Sequence, residues 1–228
     1  MCGRFALFAE RDQLAKRFKL TEQSKPSPPS LFPHQPRYNI APTQTVTAVR
    51  ATLAGRAMLY LRWGLIPSWS ADPKIAYKLI NARSETVESK PAFRTAFKKH
   101  RCLIPASGFY ESQKIGSRKQ LFFIRPRDNG GLFAFAGLWE KWNNPQGQVV
   151  ESCTILTTEA NELMRPLHNR MPVILDPPSE DVWLDPLSSA DALGALFVPY
   201  ASEAMEAFPV SSWVSNARNE GPRCLEPA

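Results

Sequence analysis

Between Arg101 and Glu140 the chain is a succession of short apolar stretches, RCLIPASGFYES, QLFFIRP and LFAFAGLWE, broken by the polar turns KIGSRK and RDNGG. Runs this short, rich in aromatic and branched residues and fenced by Gly, Asp and Asn, read as β-strands. The earlier segment TVTAVRATLAGRAMLYLRW predicts two more strands joined by a turn around Gly55, and ESCTILTT predicts another. With 21 prolines and 11 glycines, short strands and turns are favoured over long helices. The expected fold is α+β, a single domain over residues 1–228 built on a curved or barrel-like mixed sheet with short peripheral helices.

Five helical segments are expected around that sheet. AERDQLAKRFKL puts Leu14, Phe18 and Leu20 on one face, with acids early and bases late as the helix dipole prefers. SKPAFRTAFKKH offers Ser89 as cap, Pro91 in the first turn and Phe93 and Phe97 one turn apart. A short helix is expected over EANELM with Thr158 as its cap, and two more over SEDVWL and ADALGALF. Residues 25–36 are Pro-rich and read as a surface loop, too near the N-terminus to separate two domains.

The 28 Lys and Arg outnumber the 21 Asp and Glu, a net charge of +7 that suits a polyanionic partner. No basic block or basic amphipathic helix concentrates that charge, which disfavours a membrane surface. The charged first 25 residues fit neither a signal peptide nor a membrane span. Cys2, Cys102, Cys153 and Cys224 include no CxxC pair, so neither a disulfide framework nor a zinc site is expected. A reduced, cytoplasmic protein follows.

Cys2 is the most informative of these cysteines. If Met1 is removed, an α-amine titrating near ~8 and a thiol near ~8.5 share one residue. Such a pair can condense with an aldehyde to an imine and close a thiazolidine ring, or attack an amide or ester with the amine as base. A small, inert residue entering a first strand remains the alternative. His168, between Arg165 and Arg170 in RPLHNRMP, suits proton transfer, a phosphate contact or a structural role; His34 and His100 read as structural. In NARSET an extended backbone would turn Asn81, Arg83 and Glu85 to one face. Glu111 in GFYES either faces a cleft as a general acid–base or points outward to pair with Lys114. In RWGLIPSWS, Trp63 reads as core and Trp69 as an exposed platform for a nucleobase.

Taken in order, MCGRF, RYNIAPTQ, RWGLIPSWS, NARSET, RCLIPASGFYE, LHNRMP and VSNARNEGPRC resemble the SRAP family (SOS response-associated peptidase), the abasic site processing proteins. That resemblance spans nearly the whole chain. It implies one SRAP domain that binds single-stranded DNA and forms a covalent, reversible thiazolidine cross-link to an abasic site through Cys2 once Met1 is lost. It further implies Asn81 orienting the Cys2 amine and the sugar, Glu111 as proton acceptor and donor, and His168 moving protons. By the same resemblance Arg4, Arg83 and Arg170 would meet phosphates, Trp69 and Pro42 would flank the bases, and Thr157 would lie near the reactive centre. No metal or other cofactor, no membrane and a monomer are expected. Ser112, Asn169 and Ser107 stand where the family usually has Trp, an acid and Asp. A thiol peptidase or amidase acting on other proteins, and a non-covalent single-strand binder, are the competing readings.

Overall fold

The computed structural model describes residues 2–21, 35–128 and 130–228. The loop expected over 25–36 therefore lies, but for its last two residues, outside the described residues.

The larger sheet closes on itself. β3 (Thr45–Thr52) and β4 (Gly55–Trp63) form the antiparallel hairpin expected from their β-branched and aromatic content. Gly55 turns it with φ +115°, and a Cβ there would also lie 2.5 Å from the Thr21 methyl. β4 runs parallel to β10 (Val149–Glu159), which pairs antiparallel with β9 (Phe133–Asn143). β9 pairs with β6 (Arg101–Ala106), and β6 returns to β3, completing a five-stranded mixed barrel. Three short strands extend it: β5 (Asn81–Arg83) beside β10, β11 (Arg170–Pro172) on β10's other side, and β12 (Ile174–Leu175) beside β9. The last two wedge between β9 and β10 where those strands part, with Val173 N–H donating to Leu156 O and Ala136 N–H to Val173 O.

A second sheet is wholly antiparallel, in the order β13 (Met205–Val210), β8 (Arg118–Pro126), β7 (Gly108–Ile115), β1 (Phe5–Leu7) and β2 (Arg37–Ile40). It packs on the barrel through one aromatic cluster. Phe5 and Phe109 from this sheet meet Trp63, Phe133 and Phe135 from the barrel at centroid separations of 5.2–6.2 Å. All five are essentially solvent-free, so each contributes roughly 1.5–3 kcal/mol of burial, and the tilted and edge-on contacts add to it.

The helices are short and peripheral. α1 (Arg11–Arg17) buries Leu14, with Phe18 at its end; Glu10 N–H donates to Gln13 Oε1 at its start. α2 (Arg94–Lys99) begins later than the sequence suggests. Residues 89–93 form turns, and Ser89 Oγ donates to Thr86 O instead of capping. α3 (Pro177–Leu184) is capped by Asp176 and α4 (Ala190–Gly194) by Ser189. No helix forms over EANELM. Thr158 is held in the β10–β11 ladder and its hydroxyl donates to Phe197 O, while Asn161 Oδ1 accepts from Met164 N–H and sets a series of turns.

Candidate functional site

Two strand ladders bring the candidate residues together. On the second sheet, Tyr110 N–H donates to Arg4 O at 2.9 Å, which lays the N-terminal segment along β7. Gly108 permits this strand's position, because a Cβ there would meet Phe123 and the Ile124 carbonyl at 2.3–2.5 Å. Glu111 follows on β7 and is buried at 8% exposure, so the outward pairing with Lys114 does not occur. Cys2 is fully buried. Burial pushes its thiol far above the ordinary thiol range, and the charge of nearby Glu111 pushes it further. The sulfur is therefore a neutral thiol at physiological pH.

On the barrel, β5 is fixed in register by its parallel pairing with β10, Asn81 opposite Ile155 and Arg83 opposite Thr157. Asn81 Nδ2 donates to the Cys2 carbonyl at 2.9 Å. Its Oδ1 is buried and accepts no hydrogen bond from the described residues. Cys2, Asn81 and Glu111 thus form one cluster spanning the two sheets. His168 sits across β10 from β5, at the same end of that strand, two residues before β11. Arg170 N–H donates to its Nδ1 at 2.9 Å, so the neutral ring carries its proton on Nε2.

The three expected phosphate contacts are not alike. Arg83 is exposed. Arg170 is spent internally: it forms a bidentate ion pair with Glu85 and donates to Thr157 O at 2.6 Å. That hydrogen-bonded pairing holds the Glu85 carboxyl below its usual range. Glu85 does not share the face of Asn81 and Arg83, because the chain leaves the extended state at Ser84 and enters a 3₁₀ turn. Arg4 is half-buried; its Nη1 donates to Asn39 Oδ1 at 2.6 Å and to Val214 O at 2.9 Å. Trp69 is 62% exposed, as expected of a base platform, and Trp63 is core. Pro42 is partly buried in the turn after β2, and Thr157 is fully buried with its hydroxyl towards Ala82 O.

Two residues of RYNIAPTQ matter more than the sequence indicated. Asn39 is completely buried and its Nδ2 donates to the carbonyls of Val214, Asn216 and Asn219, strapping the C-terminal segment against Arg4. Thr43 has φ +75°, a strained state for a β-branched residue, held by its N–H donating to Trp63 O. An Asn inside a strand-like string was the one available signal for the first; nothing local marks the second. Between the strap and β7 lies a cleft of about 190 Å³ lined by Gly3, Arg4, Glu111, Ser112, Val214 and Ser215.

In a comparison against protein families, the model for the SOS response associated peptidase (SRAP) matches residues 1–217. The chain belongs to the SRAP family. It is similar to the abasic site processing protein YoqW of Bacillus subtilis, with 43% identity over 99% of both chains. The abasic site processing protein HMCES of Xenopus tropicalis is 35% identical over 84% of this chain and 66% of its own. A crystal structure of a protein from Bacteroides thetaiotaomicron superposes with a TM-score of 0.88 at 25% identity, covering all of both chains.

Within this SRAP frame the three sequence departures fall at distinct places. Ser112 lines the cleft beside Glu111, where its small side chain leaves room. Ser107 joins β6 to β7, its Oγ accepting from Phe8 N–H at 3.0 Å. Asn169 is exposed beyond His168.

Proposed function

We propose that this chain captures abasic sites in single-stranded DNA through a covalent bond to Cys2. The observation that carries the reading is the Cys2–Asn81–Glu111 cluster, in which an amide grips the Cys2 carbonyl and a carboxylate sits close enough to perturb its thiol. The names of the relatives supply the substrate, and the net charge of +7 suits a DNA strand.

Hydrolysis of the Met1–Cys2 bond consumes one water and frees the α-amine. The amine adds to the C1′ aldehyde of the ring-opened deoxyribose, and the carbinolamine expels one water to give an imine. The thiol then adds across the C=N bond: a C–S bond forms at carbon, and the thiol proton ends on nitrogen. Condensation to the thiazolidine thus releases one water and needs no oxidant. Glu111 takes the thiol proton, which burial otherwise retains on sulfur. Asn81 Oδ1, buried and open, accepts from the amine or a sugar hydroxyl. His168 presents Nε2–H to the oxygen that leaves. Arg83 meets a phosphate directly, and Arg170 does so by exchanging Glu85 for the phosphate. The protein acts as a monomer in a reducing compartment.

The test is intact mass with and without a single-stranded oligonucleotide carrying one abasic site. The expected result is loss of Met1 and gain of one oligonucleotide less one water. An adduct of undiminished yield in Cys2→Ala would sink the mechanism. Turnover of unrelated peptides would favour a general thiol peptidase instead, a role that makes no use of the net charge of +7 or of the exposed Trp69.

A further inference from the structure

Among the described residues only three aromatic side chains reach 37% exposure: Trp69 at 62%, Tyr77 at 63% and Trp213 at 37%. The face of Trp213 is covered by the Arg223 guanidinium, 4.0 Å from the ring centroid. That leaves Trp69 and Tyr77 as the open aromatic surfaces, and the same buried residue supports both. Trp142 Nε1–H donates to Ser70 O at 2.6 Å, which anchors the loop next to Trp69. Ala76 and Ile75 pack with Ile66 against that Trp142, which anchors the 3₁₀ turn Pro73–Lys78 next to Tyr77.

The turn is rigid and basic. Asp72 caps it by accepting from Lys74 N–H, and Gly64, with φ +115°, lets the Ala76 carbonyl approach to where a Cβ would be 2.8 Å away. In a 3₁₀ helix residues i and i+3 eclipse, so Lys74 and Tyr77 project from one side while Ala76 faces the core. Lys74 and Lys78 are both exposed, and the acid of Asp72 is the only carboxylate between Ser70 and Arg83. Tyr77 and Asn81 are four positions apart, no more than about 14 Å of chain. Leu65 N–H donating to Leu79 O and Trp63 Nε1–H to Ile80 O lock that connection to the barrel.

We infer that Tyr77, flanked by Lys74 and Lys78, is a second base-stacking position that continues the single-strand path from Trp69 towards the Cys2 cluster. The occupant is an unstacked nucleobase on the Tyr77 ring, with its phosphates against the two lysines. The charge favours this occupant over an apolar protein partner, and the π-face of any base serves, so the contact carries no sequence preference. This inference rests on the single-strand reading of the preceding section, which adduct formation tests separately.

The experiment is fluorescence anisotropy with a labelled oligothymidylate that has no abasic site and so cannot cross-link. Tyr77→Ala should weaken binding roughly 5- to 100-fold, and Tyr77→Phe should keep it, since the ring and not the hydroxyl does the stacking. Lys74→Ala and Lys78→Ala should each reduce the slope of log affinity against log salt by about 0.7, while Tyr77→Ala leaves the slope alone. Leu53→Ala is the control: this fully exposed residue lies at the opposite end of β4 from Trp63. Affinity of Tyr77→Ala within twofold of the parent overturns the stacking position. If the parent cross-links abasic DNA while Tyr77→Ala binds the intact strand as the parent does, only this inference falls. If the parent binds the strand through Tyr77 yet never forms an adduct, only the covalent reading falls.

Discussion

At the Cys2 end of the site Cys2 and Glu111 are 0 and 8% exposed, whereas on the Trp69–Tyr77 shelf the two aromatic residues are 62 and 63% exposed. The first region is held by hydrogen bonds across two sheets, from Asn81 to Cys2 and from Tyr110 to Arg4. The second is held from beneath, by Trp142, and leaves its working faces in water. The difference suits the roles proposed for each. Moving a proton between a thiol and a carboxylate needs fixed distances and little competing water, because charge interactions strengthen as the local dielectric falls. Stacking a base needs only an open ring on a rigid support. Changes at the two ends should therefore fail in different ways.

The largest separation is expected from Glu111→Gln. Removing the charge that helps hold the Cys2 thiol protonated brings its pKa down, so alkylation of Cys2 by iodoacetamide should speed up. Removing the proton acceptor should slow cross-linking about 10²- to 10⁴-fold. Mass spectrometry and a gel follow the two rates on one preparation. Movement of both in the same direction would show that Glu111 does not take the thiol proton. In the parent, alkylation of folded Cys2 should keep climbing as pH passes 9, where an unfolded cysteine, titrating near ~8.5, levels off. A plateau near 8.5 in the folded protein would show that burial does not hold the proton.

Asn81→Ala comes next. It leaves the Cys2 carbonyl buried without its donor, a loss of about 1–3 kcal/mol, or roughly 5- to 150-fold in adduct rate if the amide acts on the reacting residue. Affinity for an intact strand should change little. Trp69→Ala should do the reverse, weakening strand affinity while the adduct rate at saturating DNA is retained. Anisotropy and a saturating time course separate the two, and equal effects of both variants on both readings would erase the contrast between the two regions.

That contrast was only partly legible in the sequence. The hairpin around Gly55 and the strands from Arg101 to Asn143 declared themselves through apolar runs between polar turns, and Cys2, Asn81, Glu111 and His168 stood in recognisable strings. What could not be read was partner choice over distance. Arg4 bonds to residues 35 and 210 positions away and Arg170 to one 85 away, and no local pattern ranks those partners above a phosphate. Strands of two and three residues such as β12 and β11 have no periodicity to detect, so the wedge that sets His168 beside β10 was invisible. EANELM has a helical composition, but the ladder holding Thr158 and the Asn161 side chain override it.

Glu85→Gln probes the boundary between the two regions with the smallest stability effect. In the folded protein the Arg170 hydrogen bond holds the Glu85 carboxyl below its unfolded value near ~4.3, so the folded state binds fewer protons there. Its contribution is thus present above pH ~4.3 and lost as pH falls through the lowered folded value. Because the Glu85 side chain is 48% exposed, solvent screening limits that contribution to about 1 kcal/mol or less. Glu85→Gln should then lower Tm by no more than roughly 2–4 °C at pH 7, and by progressively less as pH falls below about 4.3. Its effect on strand binding should have the opposite sign. A carboxylate that occupies the phosphate's place on Arg170 competes with DNA, so removing its charge should tighten affinity for an intact strand by a few-fold, while Arg170→Ala weakens it. If Glu85→Gln instead weakens binding as Arg170→Ala does, Glu85 positions the guanidinium for the phosphate, and Arg170 belongs with the prewired Cys2 end and not with the open shelf.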